Sequence, residues 1–320
     1  MDNKWIVSPS PHLRQGATTR MIMADVLIAL LPTVIVSTIV FGMGALLTMV
    51  ICVIACVLTE FVARKIMKRE NTISDLSAMV TGLLLAFNLP PGIHPLIAIF
   101  GSIVAIGVVK QMFGGLGQNF VNPALIARIV LMVSFPTAMG KYLSPFYYQT
   151  GTDAVTSATP LGILHQAGEG TAGLPSYLEL LLGNHAGSLG EGCAIALIIG
   201  GIYLMIRKVI SPVIPLCYIG TVFVGTWLFG GDPLFHILSG GLMLGAFFMA
   251  TDYATSPINF KGKIVFAIGC GLLTVVIRMF GALPEGVSFS IIIMNILVPH
   301  IEKWTRPKPF GEERTRREKV

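Results

Sequence analysis

The sequence predicts an all-α polytopic membrane protein, with ten transmembrane helices in two inverted five-helix repeats that contain broken helices. Three observations support this prediction. First, 54% of the 320 residues are hydrophobic and only 12% are charged, whereas soluble domains carry about 25% charged residues. Second, the chain holds ten apolar runs, each long enough to cross a bilayer. Third, the Lys and Arg residues between these runs fall on one predicted side of the membrane.

The ten runs form two sets of five, separated by one long and weakly apolar connection at residues 140–188. We expect the first repeat at residues 24–139 and the second at 189–301, with an N-terminal segment at 1–23 and a basic tail at 302–320. The predicted spans are 24–41, 44–62, 74–89, 95–112, 122–139, 189–206, 212–229, 234–250, 263–281 and 286–301.

The basic residues predict the orientation, because short loops that hold Lys and Arg are retained in the cytoplasm. With the N-terminus inside, only Arg128, Lys141 and Arg278 fall elsewhere than on the cytoplasmic side. Both termini of this inner-membrane protein are therefore expected in the cytoplasm, and residues 140–188 outside. The polar, basic first twenty residues argue against a cleavable signal peptide. The net charge is +6, but the basic residues that produce it flank the spans. The charge therefore does not indicate a nucleic-acid partner.

An odd number of spans per half makes equivalent helices run in opposite directions. This is the geometry of an inverted repeat, in which interrupted helices line a polar cavity. The run GLLLAF at residues 82–87 resembles GLMLGAF at 241–247. A helix breaker follows each run, at residues 88–92 in the first half and 251–257 in the second.

Residues 152–162, TDAVTSATPLG, combine an acid and several hydroxyls with a proline that suits the first turn of a helix. Small neighbours leave the Thr159 hydroxyl reachable, and Asp153 and Thr156 can form turn hydrogen bonds that display it. Two interpretations remain open on the residues alone. Thr159 is either the N-cap of the following helix or a displayed modification site.

The stretch QNFVNPALIAR at residues 118–128 is the second candidate site. Asn119 and Asn122 lie at a helix start with Pro123 just inside it, so Asn122 is expected to be an N-cap. Donors at such a start can also face a polar ligand. Arg128 is costly near lipid, so we expect it to face protein, a ligand or water.

Acids near membrane depth form the third class of candidates, because ionisable groups there mark pathways or ion pairs. Asp252, at the second breaker, is the first ion-pathway candidate, and Asp75 and Glu285 are the others. The alternatives are a cap satisfied by Thr255 for Asp252 and an ordinary first-turn acid for Glu285. The six His and five Cys residues show no metal-ligand spacing, so no metal site is predicted.

Six motifs, in one fixed order over nearly the whole chain, resemble the RnfD family, the D-type membrane component of the Rnf complex, which is an ion-translocating ferredoxin:NAD+ oxidoreductase. That family is related to the NqrB component of the sodium-pumping NADH:quinone oxidoreductase. The motifs are SPSPHLR with TTRMIMADVLIALLP, TGLLLAFNLPP, GGLGQNFVNPALIAR, TDAVTSATPLG, GAFFMATDYATSP and LPEGVSFSIIIMNILVPHIEK.

The resemblance implies that a dedicated flavin transferase joins FMN to the Thr159 hydroxyl through a phosphodiester, on the outer side of the membrane. The family pattern around it falls on Asp153, Thr156, Ser157 and Ala158, and many members have glycine where Ser157 stands. A non-covalent riboflavin, associated in the related enzyme with the region of Asn119, Asn122 and Arg128, is the second expected cofactor.

The resemblance also implies that this chain is one subunit of a larger enzyme, without a complete active site of its own. Its expected partners are the lipid bilayer, the A-type and E-type membrane subunits, the flavin-bearing G type, and the soluble B and C types that react with ferredoxin and NAD. The chain would relay electrons through FMN and couple them to Na+ or H+ transport. A stand-alone channel or solute transporter of inverted-repeat fold is an alternative. The quinone-reducing relative is another, although that protein normally carries a longer N-terminal extension.

Overall fold

The computed structural model describes residues 18–149, 156–167, 174–281 and 283–307, and most of these residues lie in helices. No strand occurs within the described ranges, where a single bridge joins Leu143 to Thr156. The helices are α1 Thr19–Phe41, α2 Met43–Ile66, α3 Ser77–Phe87, α4 Pro95–Ile103, α5 Pro123–Ser134, α6 Pro136–Met139, α7 Pro160–Ala167, α8 Tyr177–Leu182, α9 Ala194–Ile206, α10 Val213–Leu228, α11 Pro233–Leu238, α12 Leu242–Leu244, α13 Phe260–Phe280 and α14 Val287–Thr305. Two π-helical stretches, Val104–Gln111 and Gly245–Met249, extend α4 and α12.

Three of the helices, α1, α2 and α13, are long and apolar enough to cross a membrane by themselves. Their outward positions carry large apolar side chains, among them Ile35, Leu47 and Ile54, each more than half exposed. Such a surface is stable against lipid and unfavourable in water. Each of the ten predicted runs also contains helical residues. The count of ten crossings and the inverted arrangement remain predictions.

Proline and glycine interrupt the shorter helices where the sequence predicted breaks. α3 ends at Phe87 with Asn88 as its C-cap, and the prolines at positions 90 and 91 lack the N–H needed to continue a helix. The π-helical stretch that extends α12 ends at Met249, just before the second predicted breaker. A further break separates α11 from α12, and there Gly240 has a φ of +68°, a conformation that favours glycine.

The packing of the helices repeats between the two halves. α2 packs against α4 in the first half, and α10 packs against α13 in the second; these are the second and fourth runs of each set. The first runs, α1 and α9, contact each other, and so do the last runs, α5 and α14. Equivalent contacts of this kind are what a repeat predicts.

The connection that leads into α9 passes close to the broken end of α3. The backbone N–H groups of Leu189 and Gly190 donate to the carbonyl oxygens of Leu89 and Phe87, at 3.0 and 2.8 Å. A Cβ on Gly190 would lie 2.6 Å from the Cβ of Phe87, so only glycine fits. The second half thereby satisfies backbone groups that the broken helix leaves free.

Candidate functional site

Thr159 lies at the start of α7. Its Oγ1 accepts a hydrogen bond from the Gly162 N–H at 3.1 Å, and Pro160 occupies the first helical position, so the N-cap interpretation is confirmed. The side chain is half-buried and also faces a cavity. Its hydroxyl therefore caps a helix and stands beside an empty space.

The residues around Thr159 are partly described. Thr156, Ser157 and Ala158 are exposed, and the Ser157 N–H donates to the carbonyl of Tyr142 at 3.0 Å. Asp153 lies outside the described residues, so its expected turn hydrogen bond stays a prediction.

The cavity beside Thr159, which we call the Thr159 cavity, has a volume of about 70 Å³. Residues from both halves of the chain and from the connection between them line it. They are Arg128, Met132, Tyr142, Thr159, Pro160, Leu161, Glu191, Gly240, Leu283, Pro284 and Glu285.

Arg128 is the central charge of the Thr159 cavity. It is only 4% exposed, as the sequence predicted for an arginine that avoids lipid. Its guanidinium binds the carboxylate of Glu285 and lies 3.7 Å from that of Glu191. It also donates to Asn88 Oδ1 at 2.8 Å and to Ser288 Oγ at 3.1 Å.

These contacts leave one donor of Arg128 unpaired. The Arg128 Nε is buried and has no hydrogen-bond partner among the described residues. An unpaired buried donor is costly. The phenol of Tyr142 is a second donor, because burial raises its pKa and keeps it protonated.

Glu285 does not act as the first-turn acid that the sequence suggested. α14 begins after Gly286 and receives no side-chain cap. Glu285 instead accepts from the Gly241 N–H with one oxygen and from Arg128 with the other. Burial acts to raise the pKa of Glu285, but the nearby Arg128 and Arg278 outweigh it and hold that pKa below its usual range.

A second cavity, which we call the Asp252 cavity, has a volume of about 90 Å³. It lies between the starts and ends of broken helices from both halves. Its polar lining residues are Ser77, Thr81, Lys110, Asn119, Asn122, Thr251, Asp252 and Tyr253.

The two predicted asparagines meet in the Asp252 cavity. Asn122 caps α5, accepting from the Ala124 N–H at 3.0 Å, which confirms the expected N-cap. Its amide also donates to the carbonyl of Met249 at 3.4 Å. Asn119 donates to the carbonyl of Val121 at 3.2 Å. Arg128, by contrast, lies in the other cavity, so the structure separates the three residues that the resemblance grouped together.

Asp252 combines the two roles that the sequence left open. Its Oδ2 accepts from the Thr255 hydroxyl at 3.1 Å, which is the predicted cap contact, and its side chain also lines the cavity. Burial raises the pKa of this carboxyl, so it binds a proton more readily than an exposed aspartate.

Asp75 is a capping residue rather than a wall of the Asp252 cavity. Its Oδ1 accepts from both the N–H and the hydroxyl of Ser77, at 2.8 and 2.6 Å. The Ser77 hydroxyl in turn accepts from Lys110 Nζ at 2.6 Å. Asp75 therefore reaches the cavity only through Ser77.

Lys110 and Glu60 form an ion pair that sequence reasoning missed. The Lys110 Nζ lies 3.0 Å from Glu60 Oε2, and both side chains are buried. The sequence placed Lys110 among the basic residues of the cytoplasmic side and gave no indication of this burial. Glu60 and Glu191 each lie inside a predicted span, and this position was the available signal for both. No comparable signal marked Tyr142.

Among the described residues, no group of three or more His, Cys, Asp or Glu side chains could hold a metal ion. The two cavities are lined by different polar groups. The Thr159 cavity presents a hydroxyl beside a buried guanidinium and two carboxylates, and the Asp252 cavity presents amides and an acid.

Comparisons with known proteins agree over almost the full chain. Residues 6–311 match the model of the NQR2, RnfD, RnfE family. The chain is 50% identical, over 314 residues, to the D component of the Na(+)-translocating ferredoxin:NAD(+) oxidoreductase complex of Acetobacterium woodii, with 98% of this chain and 97% of the relative covered. It is 45% identical, over 325 residues, to the D component of the proton-translocating ferredoxin:NAD(+) oxidoreductase complex of Clostridium ljungdahlii, with 98% of each covered. A third relative, the D component of the ion-translocating oxidoreductase complex of Stutzerimonas stutzeri, is 37% identical over 91% of each chain.

Proposed function

The chain belongs to the NQR2, RnfD, RnfE family, and from this we propose that it is the flavin-carrying membrane subunit of an ion-translocating ferredoxin:NAD+ oxidoreductase complex. Two relatives that are at least 45% identical, and match over nearly their whole length, are named as the D component of a ferredoxin:NAD(+) oxidoreductase complex. One name states Na+ and the other states protons. The proposal therefore covers either ion and leaves the reactions with ferredoxin and NAD to other subunits.

The proposed cofactor is FMN, attached through a phosphodiester to the Thr159 hydroxyl by a separate transferase. Thr159 supports this because it lines the same cavity as the buried Arg128. Bound there, FMN would supply one-electron transfer, while the protein supplies position and electrostatics. Arg128 would favour negative charge on the ring, and Tyr142 would donate a hydrogen bond to it.

The Asp252 cavity is proposed to serve the second cofactor and the transported ion. Asn119 and Asn122 offer amides for a non-covalent riboflavin, and Asp252 offers a carboxylate for a cation. A carboxylate with amide and hydroxyl neighbours can bind either Na+ or a proton. We propose that this cavity faces the cytoplasmic side and the Thr159 cavity the outer side, as the basic residues predict.

The observation that carries the proposal is the joining of Thr159 and Arg128 in one cavity. The test is fluorescence of the denatured protein in a gel, after expression with the flavin transferase. We expect a fluorescent band from the wild-type chain and none from Thr159→Ala. Ser157→Gly is the matched control, because Ser157 is exposed and many family members have glycine there; it should keep the band. A band that persists in Thr159→Ala would refute the assignment.

A further inference from the structure

Two segments of the chain run between the two cavities. α5 begins with Asn122 and Pro123 in the wall of the Asp252 cavity and reaches the Thr159 cavity with Arg128. Residues 240–253 begin with Gly240 in the wall of the Thr159 cavity and end with Asp252 and Tyr253 in the other. A change at one cavity can therefore reach the other along either segment.

The two segments are linked to each other at both ends. Near the Asp252 cavity, the Asn122 amide donates to the carbonyl of Met249 at 3.4 Å. Near the Thr159 cavity, Glu285 bridges them, accepting from Arg128 on α5 and from the Gly241 N–H on the other segment.

The bridge at Glu285 is tightly fitted. A Cβ on Gly241 would lie 2.6 Å from the Glu285 carboxylate, so the backbone approaches the acid as closely as glycine allows. The Glu285 side chain is 14% exposed. Glu191, the other carboxylate near Arg128, hydrogen-bonds Ser188 of its own loop and lies farther from the guanidinium. Glu285 is thus the acid that holds both segments.

We infer that Glu285 is a positioning residue, through which a change of charge in the Thr159 cavity alters the structure of the Asp252 cavity. The inference rests on the proposed function, because the charge arrives with the attached flavin. Reduction of that flavin by one electron, from a one-electron iron–sulfur carrier that is thereby oxidised, adds one negative charge to the cavity. That charge competes with Glu285 for Arg128, and Arg278 and Glu191 are the other charged groups that face Glu285 and Arg128.

Weakening the bond between Arg128 and Glu285 frees the carboxylate and the Gly241 N–H to move. The chain between Gly241 and Asp252 is helical from Leu242 to Met249, and a helix transmits a displacement at one end to the other. Its π-helical part, Gly245–Met249, is an irregularity of a kind that occurs frequently at functional sites. The expected result is a different exposure of the Asp252 cavity in the oxidised and reduced protein.

The experiment measures that exposure with a thiol probe. Thr251→Cys places a thiol in the wall of the Asp252 cavity, where Thr251 is 8% exposed. The background carries Cys217→Ser, because Cys217 is half-buried and the four other cysteines are buried. The rate of maleimide labelling is compared between the air-oxidised and the dithionite-reduced flavin-loaded protein in the assembled complex. We expect reduction to change the rate by at least about fivefold, the lower end of typical coupling between sites.

Glu285→Gln should bring the ratio of the two rates to one, because a neutral amide no longer competes for Arg128. Glu302→Gln is the matched control. Glu302 lies at the other end of α14 and accepts from the Ile258 N–H at 3.1 Å, so it is also a carboxylate bound to a backbone amide; this variant should keep the wild-type ratio. Glu285→Asp keeps the charge but shortens the side chain, and should also lose the response.

Flavin fluorescence of the same samples separates the two levels of the proposal. No fluorescent band from the probe protein with intact Thr159 would refute the proposed function. Two results with flavin-loaded protein would overturn the inference alone. One is a labelling rate that does not change on reduction, and the other is a ratio of rates that stays the same in Glu285→Gln and Glu285→Asp. Loss of flavin from both Glu285 variants, with Glu302→Gln loaded, would overturn it too, because Glu285 would then belong to the binding surface.

Discussion

Replacing Arg128 with methionine tests whether the ion cluster of the Thr159 cavity stabilises the fold. Methionine keeps an unbranched side chain and removes the guanidinium. Among the described residues, Arg278 would then remain as the nearby counter-charge of the buried Glu285, and Asn88 Oδ1 would lose its 2.8 Å donor. Removing one partner of a buried ion pair costs about 3–5 kcal/mol.

That cost converts into a measurable change in thermal stability. At roughly 2–4 °C per kcal/mol for large domains, we expect the unfolding midpoint to fall by roughly 10 °C. The assay is thermal unfolding of the detergent-solubilised protein, followed by the fraction that remains monodisperse on size-exclusion chromatography. The double variant Arg128→Met/Glu285→Gln should recover a large part of the loss, because it no longer buries the Glu285 charge.

Arg207→Met is the matched control for this prediction. Arg207 pairs with Asp25 at 3.2 Å, but its side chain is 51% exposed, and water screens such a pair. We expect a much smaller loss than for Arg128→Met. Equal losses in the two single variants, or no recovery in the double variant, would refute the view that burial makes the Arg128 cluster important.

Two further predictions concern the Asp252 cavity and the contact between the halves. Asp252→Asn should slow ion-dependent turnover while leaving flavin incorporation unchanged. Because burial raises the pKa of this carboxyl, turnover of the wild type should fall at mildly acidic pH as Asp252 takes up a proton. The residual activity of the variant should not show this fall. A variant with unchanged ion dependence would remove Asp252 from the pathway. Gly190→Ala should reduce the yield of folded protein, because its Cβ would lie 2.6 Å from the Phe87 Cβ. Gly220→Ala is the control and should not reduce the yield, because its Cβ would meet nothing within 4 Å. Equal yields from size-exclusion chromatography would contradict the role given to Gly190.

Local chemistry made several features predictable. The prolines after Asn88 indicated where α3 ends, because a proline lacks the N–H needed to continue a helix, and the breaker at residues 251–257 indicated where the π-helical extension of α12 ends. The Asn122–Pro123 and Thr159–Pro160 pairs predicted two helix starts for the same reason. The cost of an arginine next to lipid predicted that Arg128 faces the interior.

Other features depend on contacts between distant parts of the chain. Lys110 resembles a solvent-facing basic residue until its pairing with Glu60, fifty positions away, is known. Glu285 resembles a first-turn acid until Gly241 and Arg128 are found beside it. Nothing in the spacing of these residues encodes their partners.

The sequence by itself determined that this is an apolar helical protein, where its helices break, and which hydroxyl begins α7, because these follow from hydropathy and from backbone chemistry within a few residues. Only the tertiary structure decided that Thr159 and Arg128 share one cavity, that Asn122 and Asp252 share another, and that Glu285 links the segments between them. The physical reason is that a buried charge is stable only where folding brings it a partner, and that partner is chosen by packing in three dimensions.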